Sequence, residues 1–330
     1  MEVCGTHTVA IFQSGLRSIF PAGLEHVTGP GCPVCVTHAR EVAACIELAM
    51  EPRVVLATFG DMLRVPDARG RSLKTAKAEG ADVRICYSPF EALELAHSYP
   101  DREIVFLGIG FETTAPTVAA TLKQARDTGL GNFSLLSCHK LVPPALRHLV
   151  RDTRIEIHGF LLPGHVSTVI GSNPYRFLAE EFATPAVVGG FEPLDILQSL
   201  DLLLEQRASS HPRVDIQYTR AVSQAGNRKA QQVLQEVFDI RDGLWRGLGW
   251  IPESALALKE SFAHFDALRR FHKPWPEAEE PPGCRCGRVL QGLERPRSCP
   301  LFGSACTPSS PVGPCMVSSE GSCAAEFYYG

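Results

Sequence analysis

Three thiols stand near the start of the chain: Cys4, three residues before His7 in "CGTHT", and Cys32 and Cys35 in "GPGCPVC". A Cys-x-x-Cys pair is a redox or metal motif, because its sulfurs are spaced to close a disulfide or to share a metal ion. The pair precedes a helix that the pattern predicts from near Val36, and amide dipoles at a helix start favour a thiolate. Gly29, Pro30, Gly31 and Pro33 predict an exposed, rigid turn around the two thiols, which speaks against inert buried cysteines. No long strand precedes them in a βαβ placement, so a thioredoxin-like oxidoreductase is the weaker reading. Cys4 with His7 says little alone, although a low-spin iron with strong-field ligands would favour a soft thiolate donor.

The chain has twelve cysteines, and six crowd into residues 281–330: Cys284, Cys286, Cys299, Cys306, Cys315 and Cys323. The paired Cys-x-x-Cys knuckles that mark structural zinc sites do not occur there. Single cysteines scattered among Gly and Pro suit an iron-sulfur cluster better, since four thiolates must approach a cubane from separate turns. On spacing alone, zinc and disulfides or inert thiols stay open, and nothing selects four ligands from six. Any four leave two thiols over, enough for a redox pair. Cys45, Cys86 and Cys138 lie within helix or strand patterns and are assigned to packing.

The elements that must position these thiols read as α/β. The runs "RVVLATFGD", "ADVRICYS" and "REIVFLGIG" alternate with helical patterns such as "VTHAREVAACIELAM", with its apolar positions at Ala39, Val42, Ala43, Ile46 and Met50. A second set, "NFSLLSCH", "IEIHGFLLPGH" and "PAVVGGF", follows. Each set closes with Gly-Phe-Glu, at Gly110-Phe111-Glu112 and Gly190-Phe191-Glu192, and then a helix with Pro116 or Pro193 in its first turn, Thr114 being placed to cap the first of these. The repeat predicts two related Rossmann-like α/β lobes with parallel sheets, over residues 1–127 and 128–208, facing each other across a cleft. Glu112 and Glu192 then either line that cleft or merely cap their turns. His165 follows a strand of the second lobe and either faces the cleft or is satisfied by backbone. Residues 209–276 read as mainly helical, and "KPWPEAEEPPG" separates them from the cysteine-rich tail, which completes a third, helical domain over 209–330.

Composition excludes some functions. Lys and Arg number 32 against 36 Asp and Glu, so no basic excess exists to neutralise a phosphate backbone. No apolar run approaches the roughly 18 to 20 residues that span a bilayer. The start has no basic n-region or apolar h-region of a secretory signal, and the expected location is the cytoplasm.

Taken together, "CGTHT", "GPGCPVC", "TFGDML", "GFETTAPT", "HKLVPPA", "PGHVS", "GFEPLDIL", "WRGLG" and the tail from "CPLFGSAC" to "EFYYG" resemble the HypD family of nickel-iron hydrogenase maturation proteins. The resemblance covers essentially the whole chain. It implies two α/β lobes and a cluster-bearing third domain. It also implies a scaffold with a redox role, which works with a small HypC-type chaperone to assemble an iron centre carrying two cyanides and one carbon monoxide. A HypE-type protein would supply the cyanide, and the hydrogenase large subunit would receive the iron by way of the chaperone. Carried onto this sequence, the family pattern makes Cys4 the iron-binding thiol and Cys32 and Cys35 a neighbouring redox pair. It assigns a 4Fe-4S cluster to Cys284, Cys299, Cys306 and Cys323, and leaves Cys286 and Cys315 as an exchangeable thiol or disulfide pair, a relay between cluster and cleft.

Members of the family usually carry a longer stretch before the first cysteine motif, so the start is expected to be clipped; His38 and Leu162 stand where relatives often have other residues. Two further readings compete, a thiol-disulfide oxidoreductase using Cys32 and Cys35 and a zinc-stabilised binding protein. No GxxxxGK[ST] phosphate loop is present, so a nucleotide has no recognisable site.

Overall fold

Strands buried on both faces need covering on both faces, which a parallel sheet wrapped by crossover helices provides. Such runs build the first sheet: β1 (Val54–Thr58) is buried at every position, followed by β2 (Asp82–Ile85), β3 (Glu103–Gly108) and β4 (Phe133–Ser137). The computed structural model, which describes all 330 residues, orders them β2-β1-β3-β4, all parallel. β1 neighbours both β2 and β3, so winding reverses there and opens a crevice at the carboxyl ends of β1 and β3. A second parallel sheet contains β5 (Phe160–Pro163), β6 (Ala186–Gly189) and β7 (Val214–Ile216) in that order. β8 (Phe238–Trp245) and β9 (Gly249–Leu258) form an antiparallel hairpin with an irregularity between Arg241 and Gly243. No helix is long and apolar enough to cross a membrane.

The mixed α/β class and the parallel sheets agree with the sequence reading, but the expected boundaries do not. A break at 127/128 would part β3 from β4, which pair from Ile104↔Phe133 to Gly108↔Ser137. A break at 208/209 would part β6 from β7. Periodicity marks a strand without naming its partner, and Phe133–Ser137 was therefore grouped with the strands that follow it. Residues 209–276 are not mainly helical. Arg228–Val237 is a helix, but "SALAL", helical by propensity, pairs across the hairpin with Phe238 to Arg241, so tertiary pairing overrides local preference.

The tail has no sheet; short helices at Cys286–Leu290, Pro314–Val317 and Ser322–Tyr329 carry it. Its Cys286, Leu290, Cys315 and Val317 enter the same buried cluster as Val54, Leu56 and Leu107 of the first sheet and Phe160 and Val188 of the second. One core thus runs through all three regions. Across it Lys140, between sheet and hairpin, donates to Glu41 at 2.6 Å and to the Leu244 carbonyl at 2.9 Å. Both side chains of that ion pair are 2% exposed, and its role is to fix how the hairpin docks rather than to add net stability.

Candidate functional site

The N-terminal thiols are gathered by backbone lying on backbone. Glu2 donates to the Val27 carbonyl at 2.9 Å and Gly29 to the Glu2 carbonyl at 2.7 Å, while Leu161 of β5 donates to Met1 at 2.9 Å. A Cβ on Gly31 would lie 2.1 Å from the Cys4 nitrogen, so only glycine lets the two segments touch. Gly5 donates to the Gly31 carbonyl at 3.0 Å, which places Cys32 beside the turn that starts the helix Gly5–Gln13, with Cys4 as its N-cap. His7 on that helix is fully buried and bonds the Gly190 carbonyl at 2.8 Å through Nε2. Since a carbonyl only accepts, Nε2 carries the proton, and the Nδ1 lone pair has no partner. The Cys4 segment is thereby fixed to the carboxyl end of β6.

Cys32 and Cys35 are not on an exposed turn. They are 3% and 0% exposed, because Gly29 and Gly31 pack on the Glu2–Cys4 backbone instead of facing water. The pair makes a short helix of its own, Pro33–Val36, with Cys32 as N-cap and its sulfur 3.2 Å from the Cys35 nitrogen. The longer helix predicted from Val36 begins at Ala39, with the His38 side chain as its cap.

All six tail cysteines line one cavity, together with Leu301, Phe302 and Met316. Gly313 brings the backbone against Cys284, whose sulfur would lie 2.4 Å from any Cβ there, and the Val312 amide donates to the Cys306 sulfur at 3.3 Å. No three His, Cys, Asp or Glu side chains converge as they would around a single metal ion. A much larger cavity, about 860 Å³, lies elsewhere and takes in none of the cysteines. Volume alone therefore does not mark this site.

The two sulfur groups meet. The short helix Pro33–Val36 packs against Cys286–Leu290 and Pro314–Val317, and the neighbouring Cys286, Cys323 and Cys35 thiols push the Cys315 thiol well above its usual value. The thiols respond differently to this environment. Burial, reinforced by the Glu320 carboxylate, pushes Cys4 up to about 12. Burial and the neighbouring Cys35 push Cys32 well above the usual thiol value. At Cys35 burial also opposes ionisation, but hydrogen bonds from Cys315 and Cys32 and the Arg246 charge outweigh it and hold the thiol at about 5. The two sulfurs of the pair are thus shifted in opposite directions, Cys35 toward the thiolate and Cys32 toward the thiol.

Three polar residues at this junction escaped the sequence reading. Glu320 accepts from Thr6 at 2.9 Å, Asp61 accepts from Ser318 at 2.7 Å, and Arg246 lies 1% exposed beside the Cys-x-x-Cys helix. Asp61 follows the carboxyl end of β1, so the crevice does face this chemistry, but Glu112 and Glu192 take no part. Glu112 is buried and holds the Val142 amide at 3.1 Å, capping Val142–Val150, and Glu192 caps its own helix, Pro193–Ala208. Thr114 does not cap; its hydroxyl donates to the Ile109 carbonyl at 3.1 Å. His165 is exposed and stacks on Phe191 with centroids 4.0 Å apart. Cys45, Cys86 and Cys138 are buried, at 1%, 2% and 1% exposure, as packing residues should be.

The whole chain is similar to known proteins. Over a 337-residue alignment the chain is 49% identical to the hydrogenase maturation factor HypD of Rhizobium leguminosarum bv. viciae, covering 100% of this chain and 88% of that protein. It is 48% identical over 330 residues to HypD of Escherichia coli (strain K12), with 100% and 88% covered, and 46% identical over 335 residues to HypD of Rhodobacter capsulatus, with 100% and 89% covered. The family described as "HypD: Hydrogenase formation hypA family" matches residues 1–330. Since both sulfur groups and the sheets that bring them together fall within that match, the chain belongs to the HypD family.

Proposed function

We propose that the protein is a maturation scaffold with a redox role for nickel-iron hydrogenase. Its cargo is an iron ion that receives two cyanides and one carbon monoxide, with the Cys4 thiolate as a protein donor. In this reading the two parallel sheets are Rossmann-like lobes, and their carboxyl ends frame the cargo site. A HypE-type protein delivers cyanide in the cytoplasm, and a small HypC-type chaperone takes the loaded iron to the hydrogenase large subunit. One observation carries the reading: the short helix of Cys32 and Cys35 packs against the tail helices that carry Cys286 and Cys315, whose thiols line one cavity with the other tail cysteines, so the two cysteine groups adjoin.

Each residue has a part. Cys4, held protonated by burial and by Glu320, gives up its proton when it binds a cation, so loading releases acid. Cys32 and Cys35, with Cys35 the ionised partner, are the pair that closes a disulfide and passes its two electrons to the iron cargo as cyanide is attached reductively, the Cys32 proton going to solvent. Cys286 and Cys315 restore that pair by thiol–disulfide exchange. The tail cavity suits a 4Fe-4S cluster, its lining being thiols and apolar side chains with Gly313 leaving Cys284 clear. Cys284, Cys299, Cys306 and Cys323 would hold that cluster, which when bound supplies electrons one at a time.

Burial of Cys32 and Cys35 weighs against a general oxidoreductase for protein disulfides, whose attacking sulfur must reach its substrate. Infrared spectra of the chain co-purified without oxygen with a HypC-type chaperone test the proposal. Cyanide and carbonyl stretches should appear in the parent and vanish in Cys4→Ala. Retention of the bands in that variant refutes the Cys4 role, and unchanged bands in the double variant Cys286→Ser, Cys315→Ser refute the exchange step.

A further inference from the structure

A cavity of about 790 Å³ lies where β4 ends, between that strand, the β8–β9 hairpin and the short helix Ala267–Arg270 with the residues after it. Leu136 and Ser137 of β4 line it, so it opens off the carboxyl end of a parallel strand, where ligands of such sheets bind. Its volume is that of a small-molecule site. Its polar lining is one-sided: Arg241, Arg269, His272 and Lys273 stand against one carboxylate, Asp266, whose Oδ1 already accepts from the Arg269 amide. Arg269 pairs with Glu260 at 3.0 Å and Lys273 with Glu51 at 2.6 Å. Arg241 has no such partner. Its guanidinium makes a single hydrogen bond, from Nη2 to the Ser137 carbonyl at 3.3 Å, and its buried Nε is unpaired. Arg40 shares the lack: its Nε is buried and unpaired, and both oxygens of the adjoining Glu41 are taken, by Lys140 at 2.6 Å and the His38 amide at 2.9 Å. The two guanidiniums lie 5.2 Å and 5.6 Å from the centroid of one ring, that of Trp275. The ring offsets part of their desolvation but accepts nothing from their in-plane donors. Two like charges gathered at one ring without a carboxylate call for an anion.

We propose that this cavity binds a small organic dianion, two negative charges carried on a partly apolar body. Arg241 offers its planar fork to the acid group, with His272 and Lys273 beside it. The apolar body lies against Leu268, Pro274 and Trp275, which line the same cavity. The Arg269–Glu260 pair is exposed and holds weakly, so Arg269 can turn to the ligand. A phosphate monoester and a dicarboxylate share this chemistry. No cysteine lines the cavity, so the inference stands apart from the thiol chemistry.

The test is calorimetric titration of the anaerobically purified full-length chain at pH 7 with phenyl phosphate, phthalate and, as a monoanion of like shape, benzoate. At least one dianion should saturate a single site and bind at least about fivefold more tightly than benzoate, and the tighter of the two identifies the acid group. Arg241→Gln should weaken that binding at least about tenfold, the effect of one charge-assisted hydrogen bond, with Arg241→Lys between it and the parent, since the charge is kept and the fork lost. Lys273→Gln should cost about threefold. Arg151→Gln, which lies at a different cavity, should change nothing. Where Arg241→Gln does not fold, the double variant Arg269→Gln, Lys273→Gln takes its place, with a loss of at least about fivefold expected. No saturation by either dianion at about 10 mM overturns the inference. So do benzoate binding as tight as that of the dianions, unchanged affinity in the cavity variants, and an equal loss in Arg151→Gln.

Discussion

Cys4, Cys32 and Cys35 are held by backbone packed on backbone, whereas the six tail cysteines ride on short helices and turns that form no sheet of their own, Cys286 and Cys315 reaching into the core of the two parallel sheets. In the first group the position of each sulfur follows from main-chain hydrogen bonds and from glycines that admit no side chain. In the second, what the segments have in common is the cavity their thiols line. The contrast separates a site built by main-chain contacts from one gathered around a cavity lined with thiols.

Four outcomes would sharpen or break that contrast. The largest effect is expected for Gly31→Ala, whose Cβ would meet the Cys4 nitrogen at 2.1 Å. Neither strand of backbone can yield, so urea unfolding should show a loss of at least about 3 kcal/mol or no folded protein. Gly313→Ala makes a contact almost as short, 2.4 Å, but with the Cys284 sulfur. A thiol can turn away, so the loss should stay near 1 kcal/mol; equal costs for the two variants would remove the distinction.

An effect of intermediate size is expected from pH. Burial lifts the Glu112 carboxyl to about 7 from an ordinary value of 4.5. The folded state therefore holds its proton more tightly than the unfolded chain, and stability should fall as pH rises from about 4.5 to 7. Thermal melts of Glu112→Gln should lose that component, roughly 3 kcal/mol, leaving the same trend from Glu2, which burial also lifts to about 7, against the opposite one from His26 and His139, whose burial holds both near 3 and costs stability as pH falls below 6.5. The smallest change is expected in hydrogen exchange when bound metal is stripped anaerobically by a chelator. Amides of residues 284–323 should lose protection, whereas those of 28–36 should keep it; joint loss would show that the two groups depend equally on metal.

The apolar runs at Val54–Thr58, Glu103–Gly108 and Ala186–Gly189 announced parallel strands, because burial on both faces leaves an unbroken aliphatic signature. The hairpin was hidden by "SALALKESF", whose residues favour a helix until Phe238–Arg241 supplies a partner strand. The thiols were legible as chemistry from residue type and spacing alone, but their burial was not, since glycine and proline promise a turn without saying what lies on it. Asp61 with Ser318 and Thr6 with Glu320 lie 257 and 314 residues apart in sequence, and no local pattern couples such distances.

The sequence by itself determined which atoms are available: nine sulfurs in two groups, two sets of strands and the glycines between them. Tertiary structure alone decided that the helix of Cys32 and Cys35 would pack against the tail helices of Cys286 and Cys315, and that Arg246 would be buried beside it. The physical reason is that local periodicity records how one segment meets solvent and core, whereas the ionisation and reactivity of a buried thiol depend on charges and donors brought to it from far along the chain.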